Sequence, residues 1–197
     1  MRERLRILSL DGGGVQGACR AAVRAVLERL AGRRLVECFD LITGTSTGGI
    51  IALAAVLGRR TRGEARCRLG VPSYDAVRGE AHVFRPAHTA GPPAATLPAV
   101  EVALAPAAAP TYGPAWTVDR GCHLDGGLWA NCPVTVGLVE AIGVLGQAPN
   151  AMDVLRIGTA TEPCAVSPRR RQQGGLLRWN IGLRDLLQQA QVAAALA

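Results

Sequence analysis

Lysine is absent from this chain of 197 residues, so arginine alone carries its surplus of positive charge. The formal net charge is +7. A bias spread over the whole sequence does not define a nucleic-acid site, and we expect no nucleic-acid partner. Because arginine binds phosphate well, the partner that this charge favours is an anionic membrane, contacted peripherally through arginine-rich loops such as 59–68 and 169–171.

Paired cysteine motifs are also missing. The chain has six cysteines, without a C-x-x-C pair or a histidine pair that would complete a zinc site: Cys19, Cys38, Cys67, Cys122, Cys132 and Cys164. We therefore predict a reduced, cytoplasmic setting. The charged N-terminus does not resemble a signal peptide. The uncharged stretch from Leu41 to Gly58 is too rich in Thr, Gly and Ser in its first half to predict a membrane span.

Apolar residues are abundant, at 49%, which is enough for the core of a single domain over residues 1–197. A strand-like segment from Arg4 to Leu10 leads into a glycine loop and then a helical segment that ends near Leu30. The same order recurs from Leu41 onward. Two successive β-loop-α units predict a three-layer α/β/α domain with a mainly parallel central sheet. Further along, residues 153–158 predict a strand and residues 183–196 a helix.

The second of these loops is the pentapeptide Gly44-Thr45-Ser46-Thr47-Gly48, which has the pattern G-x-S-x-G. In a nucleophile elbow, glycines flank the serine because the tight turn from strand to helix leaves no space for side chains. The helix that follows directs its free N–H groups toward the same place. A glycine-rich turn without catalytic function is the alternative interpretation.

The first loop, Asp11-Gly12-Gly13-Gly14-Val15-Gln16-Gly17, contains G-x-G-x-x-G as Gly12, Gly14 and Gly17. This pattern is typical of a dinucleotide-binding module, in which Glu37 or Asp40 would bind the ribose. A P-loop is excluded, because Ala18-Cys19 stands where the lysine and hydroxyl residue would be. An oxyanion hole uses the same kind of free amide, so the neighbouring serine elbow favours that function.

The serine needs a base, and Asp125 in Asp125-Gly126-Gly127 follows a predicted strand at the position where catalytic side chains collect. The common order of serine, acid and histidine is excluded, because His82, His88 and His123 all precede Asp125. Two alternatives remain. His123 could act as base with a later acid, or Asp125 could accept the proton directly, if a parallel sheet brings the two strand ends together.

Together the three motifs resemble the patatin-like phospholipase family, with further similarity at 39–43, 108–112, 128–131 and 157–159. The resemblance implies that Ser46 is the nucleophile, Asp125 the proton acceptor, and the loop of Gly12, Gly13, Gly14 and Gly17 the oxyanion hole. Gly44, Gly48, Gly126 and Gly127 support these motifs. The implied substrates are phospholipids or other acyl lipids, cleaved through an acyl-enzyme, and no metal or cofactor is implied.

The sequence also departs from the family pattern. Cys132 stands where a second asparagine is common, the middle region 59–121 is short, and the last helix runs to the final residue without a capping sequence. These features lead us to expect a C-terminally truncated domain. They also leave open a non-catalytic, lipid-binding remnant of the fold. From Gly70 to Trp116 the frequent prolines prevent a prediction of regular structure.

Overall fold

The computed structural model describes residues 4–14, 17–57, 67–85, 98–110, 112–118, 121–158 and 176–196. Within these ranges the strands are β1 (Leu5–Leu10), β2 (Leu41–Gly44), β3 (Arg68–Asp75), β4 (Glu80–Phe84), β5 (Trp116–Val118), β6 (Gly121–Asp125) and β7 (Met152–Ile157). The helices are α1 (Gly17–Ala31), α2 (Leu35–Cys38), α3 (Thr47–Leu57), α4 (Ala99–Leu104), α5 (Val134–Val139) and α6 (Leu176–Leu196). A π-helical turn over Glu140–Val144 continues α5.

All of these strands join one sheet in the order β5-β6-β3-β2-β1-β7, and β4 pairs with residues 71–75 of β3. β7, β1, β2 and β3 are parallel neighbours. β4 and β6 run antiparallel to β3, and β5 runs antiparallel to β6. The predicted α/β fold with a mainly parallel sheet is confirmed, except that the strand ending at Asp125 is antiparallel to its neighbour instead of parallel.

The central strands are buried on both faces, which explains their nearly continuous apolar sequence. On one face, Leu8, Leu10 and Ile42 pack in a core with residues of α1, α2, α3 and α4. On the other face, Ile7 and Leu41 pack against the π-helical turn after α5. The two helical layers on opposite sides of the sheet are the predicted three-layer arrangement, since successive residues of a strand point to opposite faces.

The region from Gly70 to Trp116, for which the sequence predicted no regular structure, contains most of β3, all of β4 and α4. Pro72 lies inside β3, yet it interrupts no ladder between β3 and its central neighbours. The pairing of β3 with β2 ends at Gly70, and its pairing with β6 begins at Ser73. Proline is tolerated in a strand at such a position, where its missing N–H is not needed.

Other predicted elements appear close to their expected places. The strand predicted from Asp153 corresponds to β7, and the C-terminal helix begins earlier than predicted, at Leu176. Of the predicted arginine-rich loops 59–68 and 169–171, residues 59–66 and 169–171 lie outside the described residues, whereas Arg68 is the first residue of β3 and not part of a loop. No helix in the part of the chain that the structure describes has the length and apolar character needed to cross a bilayer.

Candidate active site

Ser46 occupies the turn between β2 and α3 with a φ of 54°, the only positive φ of a non-glycine residue in the described ranges. Such a conformation is strained for a residue with a side chain, and it is typical of functional turns. The flanking glycines are required by close packing. A Cβ on Gly44 would lie 2.5 Å from the Gly48 carbonyl oxygen, and one on Gly48 would lie 2.5 Å from the Leu10 carbonyl oxygen. The turn is therefore a closely packed strand-to-helix elbow with Ser46 at its apex.

β3 positions Asp125 near this elbow, because β3 extends beyond the end of β2 and provides a pairing partner for the strand that ends at Asp125. Thr43 in β2 pairs with Gly70, and β3 then continues to Asp75. β6 runs antiparallel along this extension, so that its last residue, Asp125, pairs with Ser73. The turn that follows is fixed by the Trp129 indole N–H, which donates to the Ser73 carbonyl at 2.9 Å.

The Asp125 carboxylate accepts a hydrogen bond from the Ser46 hydroxyl. It also accepts the backbone N–H of Gly127 at 2.6 Å, while the aspartate is only 5% exposed. Burial raises the pKa of Asp125, and the bonds from Ser46 and Gly127 oppose that shift without cancelling it. The structure thus brings two of the predicted residues into direct contact, with the aspartate poised as a stronger base than an ordinary carboxylate.

The glycine loop packs directly on the elbow. A Cβ on Gly12 would meet the Thr45 methyl at 3.2 Å, and one on Gly17 would meet the Thr47 side chain at 3.0 Å. The Gly12 N–H donates to the Asn131 carbonyl at 2.8 Å. Among the loop, turn and cap hydrogen bonds of the described residues, none has the amide of Gly13 or Gly14 as its donor. Of the four predicted glycines, Gly12 is therefore the one whose amide has a backbone partner among these bonds, and the amides of Gly13 and Gly14 are candidates for binding a ligand.

His123, the other candidate base, contacts a different serine. Its Nδ1 lies 3.2 Å from the Ser73 hydroxyl oxygen, and this hydroxyl donates to the Leu124 carbonyl at 2.9 Å. Its ring packs against Phe84 and His82. Burial lowers the pKa of His123. The contacts of His123 are therefore those of a neutral histidine that joins three strands.

The two acids that a dinucleotide site would need lie at the N-terminal ends of the strands, whereas the glycine loop lies at the C-terminal end of β1. Asp40 immediately precedes β2 and accepts the Arg6 backbone N–H at 2.9 Å, near the start of β1. Glu37 is in α2, which also precedes β2. The glycine loop follows the end of β1, and β1 and β2 are parallel. The length of the strands therefore separates both acids from the loop, which disfavours this alternative.

Two polar residues near the site were not predicted from the sequence. Arg156 in β7 pairs with the buried Asp11 carboxylate at the start of the glycine loop. Gln191 in α6 accepts the Asn131 N–H at 3.1 Å and donates to the Leu128 carbonyl at 2.9 Å. The available signal for the first was an arginine between two apolar residues of a predicted strand, because a buried arginine is usually paired with an acid. No local signal identified Gln191.

A pocket of about 360 Å³ lies behind the loop that follows Asp125. Residues 129–132 of this loop form one wall, and apolar residues of α5 and α6 form much of the rest. Arg85 and Glu140 also line it and form an ion pair at 2.7 Å. Ser46 and Asp125 do not line this pocket. Among the described residues, no cluster of three or more histidine, cysteine or acidic side chains could hold a metal ion.

A serine in a strand-to-helix elbow, next to a glycine loop at the end of a mainly parallel sheet, is an arrangement that serine hydrolases with a nucleophile elbow also have. The profile of the family described as "Patatin-like phospholipase" matches residues 8–68, which include the glycine loop and the elbow.

Known proteins extend this similarity beyond the profile. The chain is 32% identical over 237 aligned positions to a "cGAMP-activated phospholipase" of Pseudomonas aeruginosa, covering 94% of this chain and 71% of that protein. A protein of the same name from Escherichia coli is 28% identical, covering 94% of this chain and 72% of its own. The chain belongs to the patatin-like phospholipase family, and its function is that of a lipid-hydrolysing enzyme.

The alignment with the Pseudomonas protein is longer than this chain of 197 residues. That relative consequently has segments without a counterpart here. A third match, 45% identical over 53 residues, is to "Phospholipase A I" of Arabidopsis thaliana and covers 27% of this chain and 4% of that protein.

Proposed function

We propose that this protein hydrolyses carboxylic esters of lipids, of the phospholipase A type, through a dyad of Ser46 and Asp125. The observation that carries the proposal is the hydrogen bond between these two side chains, beside a glycine loop with amides available for a ligand. A serine hydroxyl is a weak nucleophile until a base takes its proton. Asp125 is in contact with that proton, whereas His123 is engaged with Ser73.

In the acylation step, the Ser46 oxygen attacks the ester carbonyl carbon while its proton moves to Asp125. The carbonyl oxygen becomes an oxyanion, which the amides of Gly13 and Gly14 would stabilise by hydrogen bonds. Collapse of this intermediate breaks the bond to the alcohol oxygen, and Asp125 returns the proton to that oxygen. Ser46 then holds the acyl group as an ester.

In the deacylation step, water attacks the acyl-enzyme and gives a proton to Asp125. The second oxyanion collapses, the Ser46 oxygen recovers the proton, and the fatty acid leaves. The raised pKa of Asp125 favours both steps, because a base is most effective when its pKa approaches the working pH. A carboxylate with an ordinary pKa would accept the serine proton less readily.

The lipid nature of the substrate is supported by the family and by the apolar pocket behind the Asp125 loop. The pocket size is in the range of small-molecule sites and could accept an acyl chain. We retain the proposal that arginine-rich loops contact anionic membranes peripherally. Residues 59–66 and 169–171 lie outside the described ranges, so this contact is tested by binding of the protein to anionic vesicles.

We also propose that a cyclic dinucleotide regulates the activity. The names of two bacterial relatives that match most of this chain describe phospholipases activated by cGAMP. A phospholipase that requires an activator would show no hydrolysis in an assay without that activator. Activity should therefore be measured both with and without cGAMP.

The proposal is tested by hydrolysis of phospholipid vesicles and of a short-chain nitrophenyl ester. We expect Ser46→Ala and Asp125→Ala each to abolish hydrolysis while the protein remains folded. Ser9→Ala is a matched control, since Ser9 is buried and its hydroxyl has no hydrogen-bond partner among the described residues. Full activity of the Ser46 variant would refute the mechanism. Vesicle binding without hydrolysis, with or without cGAMP, would instead indicate a non-catalytic remnant.

A further inference from the structure

The Asp11 carboxylate is fully buried, although it immediately precedes the three consecutive glycines of the loop. The Nε of Arg156 donates to both carboxylate oxygens, at 3.2 and 3.0 Å, and a terminal guanidinium nitrogen donates to Oδ2 as well. A planar guanidinium that binds both oxygens fixes the orientation of the carboxylate as well as its charge. Asp11 is thereby held in one position relative to β7.

The same pair connects the loop to the segment that follows Asp125. The Asp11 N–H donates to the Ile157 carbonyl in β7 at 3.2 Å, and the next amide, of Gly12, donates to the Asn131 carbonyl. The Cys132 thiol makes hydrogen bonds with the side chains of both Asp11 and Arg156. Three separate segments of the chain therefore meet at this ion pair, and two of them carry parts of the candidate active site.

We propose that Arg156 is a positioning residue for catalysis, which acts through Asp11 to hold the amides of Gly13 and Gly14 in place beside Ser46. This inference rests on the proposed function of that loop as an oxyanion hole. Three consecutive glycines have little conformational preference of their own, so their amides are preorganised only if the loop is anchored. The anchor lies at its first residue, where Asp11 meets Arg156.

The same two strands have a second ion pair that serves as a control. At the opposite end of β1 and β7, Arg4 Nε donates to Asp153 at 2.9 Å, and both side chains are about half exposed. This pair is far along the strands from the glycine loop. If Arg156 merely joined β7 to β1, the loss of either pair would have similar effects on the enzyme.

The experiment compares the full chain with Arg156→Lys, Arg156→Gln, Arg4→Gln and the double variant D11N/R156Q. For each protein we would measure kcat and KM on a nitrophenyl ester, the melting temperature, and hydrogen–deuterium exchange at the amides of Asp11 and Gly12. Arg156→Lys retains the positive charge but loses the planar guanidinium that contacts both oxygens of the Asp11 carboxylate. The double variant removes the buried charge that Arg156→Gln would leave unpaired.

We expect Arg156→Gln to lower kcat by roughly 100-fold with little change in KM, because small displacements of catalytic groups have effects of this size. Arg156→Lys should lose roughly 10-fold, since one ammonium cannot reproduce the bidentate contact. Exchange at Asp11 and Gly12 should accelerate in both variants and remain unchanged in Arg4→Gln. D11N/R156Q should regain melting temperature but not kcat.

The inference is overturned if Arg156→Lys keeps both the wild-type kcat and the wild-type exchange of the loop. It is equally overturned if D11N/R156Q recovers melting temperature and kcat together, because the pair would then only neutralise charge. Should the wild-type protein hydrolyse no ester, the proposed function fails by itself. The exchange comparison would still determine whether Arg156 anchors the loop, and unchanged exchange would refute that role.

Discussion

The Ser46 hydroxyl and the Asp125 carboxylate are hydrogen-bonded to each other, although their two strands, β2 and β6, are not neighbours in the sheet. β3 lies between them and extends beyond β2, so β6 can pair with the extension. On the same strand, His123 is directed to Ser73. This arrangement supplies a serine and a carboxylate base in contact, without requiring a histidine.

Replacement of Asp125 by asparagine should stabilise the protein while it abolishes activity. The pKa of Asp125 is higher in the folded state than its ordinary value of 3.8, because burial disfavours the charged form. The folded protein then binds more protons than the unfolded chain, so this group stabilises the fold at low pH and loses that contribution as pH rises through the folded pKa. At neutral pH, Asp125→Asn should therefore have a higher melting temperature than the wild type.

Asp75, two positions away on the neighbouring strand, provides a control of opposite sign. Its burial would raise its pKa, but hydrogen bonds from Arg78 and from the Val77 backbone lower it to about 2. Its stabilising contribution is present above pH 3.8 and is lost as pH falls toward 2. Asp75→Asn should lower the melting temperature by several degrees at neutral pH. Thermal unfolding of both variants from about pH 2 to 8 checks both predictions, because the Asp75 contribution is lost only below pH 3.8, and a less stable Asp125→Asn at neutral pH would contradict the first of them.

Removal of the imidazole at position 123 should affect activity only mildly. In His123→Asn, the amide nitrogen can take the place of Nδ1 beside Ser73, so the sheet should keep its register. We expect kcat within about 10-fold of the wild type, compared with a loss of roughly 10⁴-fold on removal of a true triad member. Steady-state kinetics of His123→Asn and Asp125→Ala, measured side by side, test which of the two residues acts as the base. Equal losses would identify His123 as the base.

Alanine at Gly44 should destabilise the elbow by about 2 kcal/mol, because its Cβ would lie 2.5 Å from a backbone oxygen of Gly48. For a protein of this size, that corresponds to a melting temperature lower by about 4–8 °C. Gly143→Ala is the matched control, since a Cβ there meets nothing within 4 Å. It should leave stability unchanged or slightly higher, as alanine favours helix. Equal stability of the two variants would show that the elbow is not closely packed.

The predictable part of this structure is the part determined by local patterns. Glycine loops between apolar runs predicted β1, β2 and their helices, and the strand that ends at Asp125. β3 was missed because Pro72, Ser73 and Asp75 do not alternate with apolar residues in the usual way. Their burial depends on pairing with β4 and with β6, and β6 lies far along the chain. The antiparallel direction of β6 was also missed, because it depends on pairing with β3, which is distant in the sequence.

Residue spacing in the sequence could not distinguish between the two candidate bases, His123 and Asp125. His123 and Asp125 are two residues apart in one strand and share a face, so spacing alone treats them equally. Their different partners follow from the length of β3 beyond β2, which is a tertiary property. The role of Arg156 depends likewise on the pairing of β1 with β7.

Labelling with a fluorophosphonate tests the central proposal most directly, because this reagent phosphonylates an activated serine. The full chain would be treated with the reagent in the presence and absence of cGAMP, and the modified peptide mapped by mass spectrometry, with Ser46→Ala and Ser9→Ala as controls. We expect an adduct on Ser46 in the wild type and in Ser9→Ala, and none in Ser46→Ala. Ester hydrolysis by a protein that carries no adduct on Ser46, or that remains active after Ser46→Ala, would contradict the central proposal.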